Sequence, residues 1–446
     1  MGERGPRWRL LFFVLVVIPS LCGCSPATAP EGSRGARPPA DSDDTAGSVG
    51  DSAELDTGEE FPCDGPQLPT PAQPPRETRV IEGAGEVPSF GMLAEFGLGN
   101  PPTELYLTSA ICTDDFVPRC STPIAAYSVP DLSLLWSAYS AEEYVHLGHP
   151  SGSGGSAVVG FGDEAVIATV VGLPLETERE VRLLAGLTGE TLAVIEAPDE
   201  DVSGSSWLDE DLVVGSRYQG RAEQGVIALF EAPHVGTRNF EDAAAVHHGL
   251  NAGDSLGVAI VDIGDVDGDG LSDLAFRAGW LYVASGADMR VDEGIGAGVP
   301  VMVDQPGNTR PAGDLDGDGV PDFTEQTIDI NGEMIVQVVS GAGLQMVGRI
   351  SDDRDDVSSM GGYAIGTMGD LDDNGYDSFL VTNVGRDGQD QWVEAWLIDG
   401  PVCGSHTYSS LGYLVPKFSE AADARASGPG MVFFLETVEH AELAIW

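Results

Sequence analysis

Polar and apolar positions along the chain alternate in short runs, without the long stripes of helices. Strand-like runs open with ELYLTS at Glu104, EAVIATVV at Glu164, DLVVGS at Asp211, DLAF at Asp273, DFTE at Asp322, SFLV at Ser378 and MVFFLE at Met431. Most are followed by a second run, such as EVRLLAG, GVIALFEAP, WLYVASG, MIVQVVSG or VEAWLIDGP, that stops at a glycine or proline turn. The openings lie 47–62 residues apart. A period near fifty suits one four-stranded sheet in a radial array. The pattern over residues 80–446 therefore predicts an all-β chain folded as a β-propeller. Seven four-stranded blades is the expected count, with six or eight as the alternatives. The first and last strands are expected to share one blade, because an open array would leave a bare edge.

Three of the repeats carry an acidic loop: GDVDGDGLSDLAF from Gly264, GDLDGDGVPDFTE from Gly313 and GDLDDNGYDSFLV from Gly369. In the first, over residues 265–273, Asp265, Asp267, Asp269 and Asp273 occupy positions 1, 3, 5 and 9, and the carbonyl of Leu271 is at 7. The second, 314–322, repeats this with Asp314, Asp316, Asp318, Asp322 and the carbonyl of Val320. The third, 370–378, has Asp370, Asp372, Asn374 and the carbonyl of Tyr376, with Ser378 at the ninth position. Several oxygens converging from one short loop suit a hard cation, and Ca²⁺ accepts 6–8 of them at flexible distances. About three structural Ca²⁺ ions are expected, the third held most weakly for want of a ninth-position carboxylate. An EF-hand shares the first nine positions but needs Glu at position 12 between helices. Only the second loop has it, at Glu325, and Phe276 and Val381 stand there in the others.

These loops, with the SLGVAIVDI and MGGYAIGTM stretches before them, resemble the FG-GAP repeats of integrin α-chain propellers and of bacterial surface proteins. The resemblance covers about 80–446 and is specific in the three central repeats. It implies the same propeller fold. Leu256-Gly257 and Gly361-Gly362 stand where that pattern has Phe-Gly, and no integrin-like ligand site carries over.

The N-terminus reads as an address. Arg4, Arg7 and Arg9 precede an apolar run from Leu10 to Ile18, too short to span a bilayer. Leu21-Cys22-Gly23-Cys24 then looks like a bacterial lipobox, with 1–23 as signal peptide and Cys24 as the lipidated first mature residue. Residues 24–79, rich in Pro, Gly and Ser and acidic between Asp41 and Glu60, are expected to be a disordered tether. Of the remaining cysteines, Cys112 and Cys120 are eight apart and are expected to close one loop. Cys63 would then pair with Cys403 and pin the tether to the domain.

Charge and motifs narrow the function. With 72 acidic against 21 basic residues and a net charge of −51, nucleic acid is excluded as a partner, since phosphate binding needs a basic patch. His247-His248, and His146 with His149, lack the spacing of a metalloenzyme. Gly152–Gly155 lacks the Gly-Lys-Ser/Thr of a phosphate loop. Trp207, Trp280 and Trp392 are expected to pack beside strands. The expected function is a non-enzymatic, lipid-anchored binding or scaffold protein of the bacterial cell envelope, by analogy at the outer membrane. It would meet a protein or carbohydrate ligand at the cell surface. The alternative is an exported propeller-fold hydrolase or lyase acting on polysaccharide from the central channel.

Overall fold

The computed structural model describes residues 77–445, apart from stretches between strands, chiefly 83–92, 97–103, 113–119, 148–157, 173–178, 197–201, 218–223, 292–297, 302–307, 329–333, 352–357 and 416–422. The chain divides into units Met1–Gly58 and Glu59–Trp446. Cys22, Cys24, Cys63 and the expected signal peptide lie outside the described residues, as does the expected tether but for its last three. The first described strand, Glu77–Glu82, begins three residues inside the stretch assigned to the tether.

The second unit is all-β and is a β-propeller. Among the described residues, seven sheets of four to six strands succeed one another along the chain, each built mainly from consecutive antiparallel strands. The first strands of successive sheets lie side by side: Gly204–Leu208 beside Ile260–Gly264, then Thr309–Gly313, Ser358–Gly369 and Asp423–Gly428. Asp423–Gly428 also packs on Leu93–Phe96, the first strand of the first of these sheets in the chain, which continues to Tyr144–Leu147. The array thus returns on itself. Glu77–Glu82 pairs antiparallel with His440–Ile445, so the first and last described strands share one sheet.

The apolar runs are strands buried on both faces. In Val226–Phe230 every residue is buried. Val226, Ala228 and Phe230 face the preceding sheet with Val181, Leu183 and Ile195. Ile227 and Leu229 face the following one with Ile260, Leu274 and Phe276. Side chains alternate across a strand, so one run serves two seams. Further seams join the sheets containing Phe276 and Phe323, and those containing Val336 and Phe379. The core is a set of wedges between sheets. Trp207 belongs to one of them, but Trp280, expected to pack, is 59% exposed.

Polar links cross the same seams. Arg277 reaches the fully buried Glu325 at 3.2 Å, and Thr309 Oγ1 donates to Glu325 at 2.5 Å. Glu325 thus sits in the strand Asp322–Ile328, and the flanks of the second acidic loop are strands, which excludes an EF-hand. Buried His247 shares a hydrogen bond with the carbonyl of Met289, in the short helix Gly286–Met289 that follows the third strand of the next sheet. Two connections stray from the meander. Gly236–Asn239 adds a parallel strand to Thr191–Glu196 of the previous sheet, and Gly404–Thr407 does so to Gln345–Ser351. Each follows a cis X-Pro bond, Ala232-Pro233 or Gly400-Pro401, and each leads into a short capped turn that buries Phe240 or Tyr408. Cys112 and Cys120 are Cα partners in a two-stranded ladder.

A chain that begins at residue 83 lacks the strand Glu77–Glu82 and leaves His440–Ile445 as an unpaired edge. It is expected to melt at a lower temperature and to aggregate on heating, relative to a chain that begins at Glu59. Calorimetry with light scattering tests this, and identical melting of the two would count against closure by this strand.

Candidate metal centre

Each acidic loop joins the first strand of a sheet to the second. The loops follow Ile260–Gly264, Thr309–Gly313 and Ser358–Gly369. A one-residue register shift precedes each, and Gly264, Gly313 and Gly369 there have φ of +80°, +75° and +74°. The left-handed region admits glycine without steric cost. The sixth positions, Gly270, Gly319 and Gly375, have φ of +90°, +86° and +89°. At the fourth position the third loop places Asp373 at +58°, where the others have glycine. Aspartate is among the few residues that tolerate this.

Side chains of the loop hold its own backbone. Asp265 accepts the N–H groups of Gly268 and Gly270 at 2.7 and 2.9 Å, and Asp314 accepts those of Gly317 and Gly319 at 2.7 and 2.8 Å. Asp370 accepts the N–H of Gly375 at 2.9 Å. The third-position aspartates, Asp267, Asp316 and Asp372, accept the N–H two residues on, at 3.0, 3.2 and 3.2 Å. Asp269, Asp318 and Asn374 do the same for Leu271, Val320 and Tyr376 at 2.8, 2.9 and 2.8 Å. A carboxylate has about four lone-pair sites, so each keeps acceptor capacity for a cation.

The ninth position has a different task. Asp273 is fully buried and accepts the N–H groups of Val266, Asp267 and Gly286 at 2.8, 3.1 and 2.9 Å. Asp322 is likewise buried and accepts those of Leu315, Asp316 and Gly341 at 2.8, 3.1 and 3.0 Å. In both, one carboxylate joins the loop to the end of the sheet's third strand.

The structure brings carboxylate oxygens of Asp265, Asp267 and Asp269 within 4.8 Å of one another, and likewise those of Asp314, Asp316 and Asp322. Asp273 and Asp318 stand outside these triads. Oxygens around a Ca²⁺ at 2.3–2.6 Å are spaced up to about 5 Å apart. The donor sets are all oxygen, so their chemistry and spacing fit the ion. In the third loop Ser378 is buried and donates to Asp399 Oδ1 at 2.8 Å. Asp399 was invisible to the repeat pattern. It lies on the third strand of the sheet, Asp390–Asp399.

The loops adjoin one another. Asp314 N–H donates to Asp377 at 2.9 Å, and Asp377 N–H donates to the carbonyl of Asp314 at 2.8 Å. The Tyr376 ring covers Gly317, where a Cβ would lie 2.3 Å from it. The first loop reaches the preceding sheet through Ser272 N–H on Asp209 at 3.3 Å. Arg290 then binds Asp209 and Asp211 at 3.1 and 3.0 Å.

Such crowding penalises charge. Burial, then the neighbouring Asp316, pushes the Asp322 carboxyl up to about 8. Burial raises Asp273 too, and carries Asp262 and Asp399 to about 6. A divalent cation between the carboxylates reverses this preference.

No family model and no curated protein matches the chain. Among solved structures, a chain of the mitotic checkpoint complex is 12% identical with a TM-score of 0.41, covering 86% of this chain and 97% of its own. The WD40 domain of Toxoplasma gondii coronin is 11% identical at 0.43, covering 84% and 88%. BamB from Moraxella catarrhalis is 9% identical at 0.37, covering 80% and 86%. Likenesses of this size bear on neither ligand nor partner.

The raised carboxyls give a pH test. Asp322 holds its proton more tightly folded than unfolded, where its value is about 3.9. The native state therefore binds more protons across that interval, and stability falls as pH rises from about 4 to about 8. In chelator the melting temperature should drop over this range, and added Ca²⁺ should remove most of the drop. A melting temperature that rises from pH 4 to 8 in chelator would contradict it.

Proposed function

We propose that this chain is a calcium-stabilised propeller that serves as a lipid-anchored binding or scaffold module of the bacterial cell envelope. The observation that carries the calcium part is the repeated loop. In all three, side-chain oxygens from positions 1, 3 and 5 accept the same backbone N–H groups, and in the first two a triad of carboxylates converges within 4.8 Å. Without a cation these carboxylates repel one another and lose hydration, and a hard divalent ion offsets both.

The ions act on structure in this reading, and the chain carries no catalysis of its own. Their role is to fix the loops that tie first, second and third strands together, leaving the rest of the propeller surface for a protein or carbohydrate ligand. The envelope address rests on the sequence before Ser25: a basic start, a short apolar run and Leu21-Cys22-Gly23-Cys24. The acidic tether then spaces the propeller from the bilayer, and a Cys63–Cys403 link would hold the tether's end to it.

At about 1 mM Ca²⁺, a site of about 0.1 mM affinity adds about 1.4 kcal/mol to stability. Chelation is expected to lower the melting temperature and to raise protease sensitivity within 265–378. Asp267→Ala and Asp316→Ala should each abolish one ion in calorimetric titration. Identical melting in calcium and chelator, with no ion bound, overturns the calcium reading.

The anchor is tested separately. Mass spectrometry of the native N-terminal peptide should find an acylated Cys24. An unmodified Cys24, or cleavage at another residue, refutes the lipoprotein assignment and leaves the calcium reading untouched.

A further inference from the structure

We propose that Asp399 is the positioning residue of the third acidic loop, supplying from the opposite strand the buried carboxylate that Asp273 and Asp322 supply to the first two. The inference deepens the calcium reading, but the latch it describes is a property of the protein alone.

Second and third strands of these sheets pair antiparallel. In the first, Leu274 pairs with Ala284, so Asp273 comes opposite Ser285. In the second, Phe323 pairs with Val339, so Asp322 comes opposite Ser340. In the third, Ser378 pairs with Asp399. One aspartate and one serine thus occupy the same cross-strand pair each time, with the two exchanged in the third sheet. The exchange preserves burial: Asp273 and Asp322 are 0% exposed, and Asp399 is 2% exposed.

The exchange also preserves the link between loop and third strand. In the first sheet Ser285 Oγ donates to Asp269 at 3.3 Å, while Asp273 accepts the N–H of Gly286. In the third, Ser378 Oγ donates to Asp399 Oδ1 at 2.8 Å, and Asn374 at position 5 approaches Asp399 Oδ2 at 3.5 Å. The aspartate has changed strand, and the pair still closes the base of the loop. The ninth-position serine is therefore one half of a reversed latch. The carboxylate that the third loop lacks in sequence is present in space, bonded to the side chains of Ser378 and Asn374.

The test uses the propeller chain from Glu59 with three variants: Asp399→Ala, Ser378→Asp, and the double exchange Ser378→Asp with Asp399→Ser. Amide hydrogen exchange in chelator reads the latch without any ion. Asp399→Ala should speed exchange of 370–378 about tenfold or more, as expected for loss of charge-assisted hydrogen bonds, with 265–273 unchanged. Ser378→Asp alone sets two buried carboxylates opposite each other and should also loosen the loop. The double exchange should restore it. Unchanged protection in Asp399→Ala, or no recovery in the double exchange, overturns the proposal. Should Asp399→Ala fail to fold, the double exchange still decides: it must fold and protect 370–378 as the parent does. Calcium titration then gives a separate answer. Loss of one ion in Asp399→Ala, regained in the double exchange, extends the latch to ion binding. No ion in the parent defeats the calcium reading while the exchange data still judge the latch.

Discussion

A carboxylate at the start of a sheet's second strand, bonded to backbone N–H groups of other segments, is the interaction on which this part of the propeller depends. Asp273 and Asp322 each hold two N–H groups of the loop before them and one at the end of the third strand. Asp211, in the preceding sheet, keeps one such bond, from Ala232 at 3.2 Å, although its repeat has no acidic loop. A buried charge is tolerable only when hydrogen-bonded. These bonds therefore fix where the first, second and third strands stand relative to one another. The aspartate belongs to the architecture first, and the acidic loops are additions to it.

The seams explain how those sheets stay in register with their neighbours. Middle strands bury both faces, so a shift by one residue would move apolar side chains from one wedge to the other. Polar links lie across the same seams. Glu325 is fully buried against Arg277 of the neighbouring sheet, with Thr309 of its own sheet beside it, and His247 is buried against Met289. Breaking one partner of such a pair strands the other in a dry place, which makes neighbouring sheets interdependent. The loops adjoin the same seams, through Asp314 with Asp377 and Ser272 with Asp209. An ion that orders one loop thus acts on two sheets.

The period of the strand runs and the grammar of the acidic loops were legible in the sequence. Alternation along a strand and glycine at turns are local properties, written in consecutive residues. The first triad was legible for the same reason, since one turn of backbone brings Asp265, Asp267 and Asp269 together. Tertiary structure decided what lies across strands. It left Asp273 outside the first triad but set Asp322 within the second, placed Glu325 in a seam, exposed Trp280, and sent Gly236–Asn239 and Gly404–Thr407 to the sheets before their own. It also set Asp399 opposite Ser378. Those two residues are 21 apart in the chain, and no local rule joins them. Antiparallel register does, because hydrogen bonding between strands fixes which side chains meet, and that pairing exists only once the sheet has formed.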